Sequence, residues 1–138
     1  MNCISPIDGR YSSITKELSC FFSEFSFFKY RLYVELKYFI NLIEILPNID
    51  KTNFNKIEIL EIWENFNNDD YHIIKKYEQT LQHDIKALEY YIRDKFEKLN
   101  LNQYISFIHF GITSQDINTS ANILALKDAI HSVIIPEL

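Results

Sequence analysis

Residues 17–46 read ELSCFFSEFSFFKYRLYVELKYFINLIEIL, and the reading of this stretch decides the fold. Phe21, Phe25, Phe28, Leu32, Leu36, Phe39, Ile43 and Leu46 step by three or four throughout. At about 100° per residue they share one narrow stripe, the seam of a buried helix. Period-two alternation, the mark of a strand, is absent. Pro47-Asn48 then stops the helix. Within it Arg31 and Glu35 lie one turn apart and can pair, for about 0.2–0.5 kcal/mol when exposed. The stretch reads as core, without chemistry.

Composition agrees. Only 2 Gly and 3 Pro occur in 138 residues, too few turn formers for a many-turned β architecture, while 47% hydrophobic residues supply a core of one domain's size. The fold class expected is all-α. A formal charge of −5 without a Lys/Arg cluster disfavours nucleic acid as a partner. Cys3 and Cys20 are isolated thiols without metal-ligand spacing, as suits a reducing compartment. The opening MNCISPIDGRY lacks the basic and apolar regions of a signal peptide, and charges through residues 21–46 exclude a membrane span. A cytoplasmic protein with no metal and no cofactor is expected.

Further helices follow. A polar linker leads to one at about Lys56–Phe66 that buries Ile59, Trp63 and Phe66. Asn67 to Asp70 then form a turn and supply a cap for the next, and the lone His72 reads as a surface residue. In EQTLQHDIKALEYYIRDKFEKL, residues 78–99, the stripe Ile85, Leu88, Ile92, Phe96, Leu99 is out of phase with Ile73 and Tyr77. That predicts a helix break near Thr80 with Thr80 as cap, His83 and Asp84 in the first turn, and Lys95 and Lys98 at the favourable end of the dipole. His83 beside Asp84 is a pairing that proton-transfer chemistry uses, and equally an ordinary helix start.

Residues 108–121, IHFGITSQDINTSA, combine an apolar run, a turn at Gly111 and a helix start with Thr113 and Ser114 as cap candidates and Asp116 as capping-box partner. Two hydroxyls at a helix N-terminus suit a carboxylate or phosphate, although capping alone accounts for them. Near the start, Pro6 and Asp8-Gly9 mark a turn that presents Arg10 and Tyr11, a guanidinium fork and a hydroxyl fitted to anions or simply a surface pair. The last helix runs through Ile130, Val133 and Ile134 and stops at Pro136-Glu137-Leu138 without a closing Gly or polar tail, so a longer protein is expected.

Taken in order, SPIDGRY (5–11), QTLQHDIKALEYY (79–91) and FIHFGITSQDIN (107–118) resemble the N-terminal third of the adenylosuccinate lyase family, within the fumarase/aspartase superfamily. Each motif alone is weak; the ordered set is specific. The resemblance implies an N-terminal helical domain over 1–112 and the first part of a central helix bundle over 113–138, in a homotetramer whose sites draw on three subunits. It implies a nucleotide substrate and elimination of fumarate from adenylosuccinate to give AMP, and from the succinylated aminoimidazole carboxamide ribotide, in purine biosynthesis. By position, Arg10 and Tyr11 would contact the nucleotide, Gln82, His83 and Asp84 would line the site with His83 hydrogen-bonding substrate, and Thr113 and Ser114 would hold a succinyl carboxylate. Gln82 and Gln115 depart from the family's usual residues but keep hydrogen-bonding capacity. The family's general-acid His and the Ser base of its mobile loop fall beyond Leu138, so no residue here takes either role. Competing readings are an argininosuccinate lyase or fumarase type enzyme, and a non-catalytic helical interaction fragment.

Overall fold

The computed structural model describes residues 4–138; Cys3 lies outside them, and Cys20 is an exposed free thiol. Among the described residues there is no strand, so the all-α expectation holds. After a 3₁₀ turn at Lys16–Leu18 come α1 (Ser19–Phe22), α2 (Glu24–Ile45), α3 (Lys56–Glu64), α4 (Asn68–Leu81) and α5 (Asp84–Lys98). A 3₁₀ segment, Asn102–Phe107, leads to α6 (Ser114–Ala129), which continues through a π turn at Ile130–Ile134 into the short α7 (Ile135–Glu137). None of these helices is long and apolar enough to cross a membrane.

The stripe of α2 is the centre of the core. Phe28, Leu32, Leu36, Phe39 and Ile43 are at most 2% exposed, and burying each such side chain contributes about 1.5–3 kcal/mol. Phe39 sits edge-on to Phe96 of α5 at 4.9 Å between centroids and 6.3 Å from Tyr104, tying α2 to α5 and to the 3₁₀ segment. On its other side α2 meets α6 through Ile117, Ala121, Ala125 and Ala129, all buried at four-residue spacing. Small side chains there let the two helices approach closely. The opposite face of α6 leaves Ile123 and Leu126 half exposed or more.

The expected single helix over 17–46 is broken at Ser23. Its backbone is extended (ψ 157°), and its hydroxyl caps α2 by accepting from the Ser26 N–H at 3.2 Å. Ser26 is itself buried and donates to the Ser19 carbonyl, so a polar serine pair stands where the apolar stripe suggested continuity. At the far end Leu46 is extended before Pro47, as the preceding-residue clash requires.

The break expected near Thr80 lies two residues later. Thr80 stays inside α4, with its hydroxyl turned back to the Lys76 carbonyl at 3.4 Å. Gln82 takes the left-handed conformation (φ 53°) that ends α4, and His83, not Thr80, caps α5. Other expectations hold. Asn67 and Asp70 form a capping box at α4, Lys95 and Lys98 close α5, and His72 is exposed. In α3, Ile59 and Ile62 are buried; Trp63 is only partly so, packing on Tyr33, while Phe66 is buried just past the helix end.

Candidate functional site

At the α4–α5 corner, Lys75, Glu78, Gln79, Gln82, His83 and Asp84 line an open cleft of about 610 Å³. The chain reaches this shape because α5 begins on a ring instead of a hydroxyl. His83 is extended (φ −153°, ψ 116°), and its Nδ1 accepts the Lys86 backbone N–H at 3.2 Å. With Nδ1 an acceptor, the neutral imidazole carries its proton on Nε2. The half-exposed ring therefore offers a hydrogen-bond donor. Its Nδ1 stands 3.7 Å from Asp84 Oδ1, too far for a hydrogen bond. The two neighbours do not form a proton relay.

Asp84 is committed elsewhere. Oδ1 accepts the Ile85 N–H at 2.8 Å, and Oδ2 pairs at 2.8 Å with Nη2 of Arg31 on α2. Arg31 also donates from Nε to Asn118 Oδ1 on α6 at 2.9 Å, and its guanidinium lies 3.9 Å from the Phe27 ring centroid. Burial lowers the Arg31 pKa while Asp84 raises it; a guanidinium remains charged regardless.

One turn along α2, Glu35 is 2% exposed and sits 2.5 Å from Nδ1 of His109. Burial pushes the Glu35 carboxyl up, opposed by the bond to His109. Glu35 in turn raises the His109 pKa. The contact thus joins a buried carboxyl to a ring that is only 13% exposed. His109 has φ 57° and Gly111 φ 76°, so two left-handed residues reverse the chain into α6. For a residue with a Cβ that conformation is sparsely populated. Tyr38 completes the anchoring, its hydroxyl donating to the Phe110 carbonyl at 2.7 Å. Arg31, Glu35 and Tyr38 thus use one flank of α2 to hold the two later motifs.

Thr113 caps α6 in a capping box with Asp116, whose carboxylate accepts the Thr113 N–H at 2.8 Å. Thr113 is exposed and Ser114, the first helical residue, is partly buried. Gln115 donates to the Thr119 hydroxyl at 2.9 Å, and Gln82 to the Gln79 carbonyl at 2.7 Å. Arg10 lies over its neighbour Tyr11 at 5.5 Å, on a turn with local backbone bonds such as Tyr11 N–H to Pro6. Neither residue lines the cleft beside His83. Thr113 and Ser114 do not line it either; what joins the second and third motifs is Arg31, bonded to Asp84 and to Asn118. Among the described residues no group of three His, Cys, Asp or Glu side chains gathers as a metal site would.

Sequence reasoning gave Arg31 and Glu35 only a possible pairing with each other, whereas Arg31 pairs with Asp84 and Glu35 with His109, and it gave His109 and Asn118 no role. The signal for the first two was present: charged residues at positions 31 and 35, with Tyr38 one turn further, follow helical spacing on the flank of the apolar stripe.

No protein-family model matches the chain. Curated relatives do. Adenylosuccinate lyase of Buchnera aphidicola (subsp. Schizaphis graminum) is 43% identical over 140 residues, and that of Legionella pneumophila (strain Corby) 43% over 142. That of Dictyostelium discoideum is 41% identical over 145 residues. Each comparison covers at least 99% of this chain and 31% of the relative. The resemblance carried by three short motifs thus extends over the whole chain, which belongs by sequence to the adenylosuccinate lyase family, as a stretch spanning about 31% of the length of the relatives it matches.

Proposed function

We propose that the full-length protein eliminates fumarate from adenylosuccinate, leaving AMP, and from the succinylated aminoimidazole carboxamide ribotide. The observation that carries this is the end-to-end similarity of the chain to proteins of that name, at 43% identity over 99% of its residues. The reaction removes a proton next to a carboxylate, breaks the carbon–nitrogen bond and protonates the leaving nitrogen. It needs a base and an acid, each typically worth about 10²–10⁴-fold.

On this reading residues 4–138 bind and orient, and the acid and base come from the rest of the protein. His83 donates from Nε2 to the substrate. The start of α6, with Thr113 and Ser114, receives a succinyl carboxylate, since a helix N-terminus offers free N–H groups and the positive end of a dipole. Arg10 and Tyr11 serve the nucleotide end. As they do not line the His83 cleft, they act in a site completed by the rest of the protein or by a second subunit of a homotetramer. Residues 113–138 then begin the central bundle, and the protein works in the cytoplasm without a cofactor.

The test is fumarate release from adenylosuccinate, followed for the full-length protein and for the 138-residue chain alone. Turnover by the former and none by the latter is expected. An inactive full-length protein would sink the lyase reading, and turnover from a clean preparation of the short chain would show that the acid and base lie within it.

A further inference from the structure

Among the polar clusters of the molecule, one guanidinium joins two motifs that are far apart in sequence. Arg31 reaches Asp84 with Nη2 at 2.8 Å and Asn118 with Nε at 2.9 Å, while Phe27 covers one face of the group. Its side chain is 9% exposed, against 37% for that of Asp84. The buried end of the pair is therefore the cation, and the carboxylate stands at the rim of the cleft.

We propose that Arg31 is a positioning residue for substrate binding. It holds Asp84, and with it the neighbouring His83 ring, in register with the first turns of α6, and it cancels the Asp84 charge beside a cleft that must admit an anion. The inference rests on the lyase reading, which supplies the anionic substrate.

Asp84 itself has little left to offer a ligand, since one oxygen is taken by the Ile85 N–H and the other by Arg31. It belongs to the scaffold. His83 keeps its orientation only while α5 starts at Asp84, because its anchor is the Lys86 N–H of that first turn. Charge balance points the same way. Of the cleft-lining groups, Lys75 is already shared between Glu24 and Glu78. Without Arg31, Asp84 would add an uncancelled negative charge where carboxylates or a phosphate must approach. The fork of Arg also spans acceptors on two different helices, which the point charge of Lys does not reproduce.

The experiment is steady-state kinetics of fumarate release by the full-length protein carrying Arg31→Lys or Arg31→Met, each in the wild-type and the Asp84→Asn background. Arg31→Lys keeps the charge but loses one of the two bonds, and KM is expected to rise about tenfold with kcat nearly unchanged. Arg31→Met leaves Asp84 uncancelled, and KM is expected to rise about a hundredfold. In the Asp84→Asn background the difference between Met and Lys should largely vanish, because no charge is left to cancel. Wild-type KM in both variants overturns the proposal. So does a lower kcat at unchanged KM, which reports fewer folded molecules, and so does a Met–Lys difference that survives Asp84→Asn. If Arg31→Met fails to fold, the KM of Arg31→Lys alone decides. Loss of activity in the wild type would sink the lyase reading, whereas an active wild type with indifferent variants sinks only the role of Arg31.

Discussion

Arg31 and Glu35 stand one turn apart on α2, both buried and both of a type that rarely leaves water, and the fold accommodates them in opposite ways. Arg31 is answered on every side: a carboxylate, an amide oxygen and an aromatic face. Glu35 has one oxygen bonded to His109 and the other, Oε2, without a hydrogen-bond partner among the described residues. A guanidinium does not give up its proton, so it must be neutralised by geometry. A carboxyl has a second route, taking a proton when burial makes its charge too costly. The Arg31 corner holds a constant charge, whereas the Glu35–His109 pair joins two groups whose pKa values are both raised, one by burial and the other by its partner.

The largest effect that tests this contrast comes from His109→Ala, which strands Glu35 without its one partner. Breaking a buried pair from one side costs about 3–5 kcal/mol, and urea unfolding of the full-length variant at neutral pH measures it. Glu35→Gln, which keeps the shape and removes the charge, should cost only about 1–2 kcal/mol. Equal losses in the two variants would mean that packing, not the proton, holds the pair together.

The second test is pH. Both members of the pair bind protons more tightly when folded, because burial raises the Glu35 pKa and Glu35 raises that of His109. For His109 the stabilisation is fully present below its unfolded value of about 6.5 and is lost as pH rises through the higher folded value. The raised Glu35 adds a loss of the same sign above its ordinary value of 4.5. Stability of the wild type should therefore fall as pH rises above about 4.5 and more steeply above about 6.5, and Glu35→Gln, which removes the raised carboxyl and with it the main cause of the His109 shift, should flatten that slope. An unchanged slope in the variant would assign the pH dependence to other groups.

The same contrast shows how far the sequence could be read. The helical class and the core of α2 were legible because Phe28, Leu32, Leu36, Phe39 and Ile43 follow one period and one environment. The break at Ser23 was not, since a serine on the rim of a stripe signals nothing until Ser26 and Ser19 supply its partners. Thr80 was the better cap by type, yet His83 took the position. Residue preference is a weak guide when Gln82 adopts the left-handed turn that sets where α4 ends. The residues of the site came from motifs, whereas Arg31 and Glu35 looked like an ordinary surface pair because spacing along a helix does not reveal what packs on its flank. His109 lay inside a quoted motif, but its left-handed backbone and its carboxylate partner are tertiary facts.

The smallest effect expected on stability concerns the start of α6, which the Arg31 corner helps to hold. Thr113 is the cap and Ser114 only the first helical residue. Thr113→Ala should accordingly cost about 1 kcal/mol, while Ser114→Ala should stay within about 0.5 kcal/mol, the range of changes away from caps and cores. Two bonds independent of the Ser114 hydroxyl keep the helix in place: Asp116 to the Thr113 N–H, and Arg31 to Asn118 one turn further on. If Ser114 contributes a donor to a succinyl carboxylate, Ser114→Ala should raise KM for adenylosuccinate by about tenfold, the loss of roughly one charge-assisted hydrogen bond. Thermal unfolding beside initial-rate kinetics separates the two quantities. A raised KM at unchanged melting temperature places the hydroxyl against the substrate. A variant that loses several degrees while keeping wild-type kinetics would make Ser114 part of the helix start alone, and would leave the anion to the backbone N–H groups of α6.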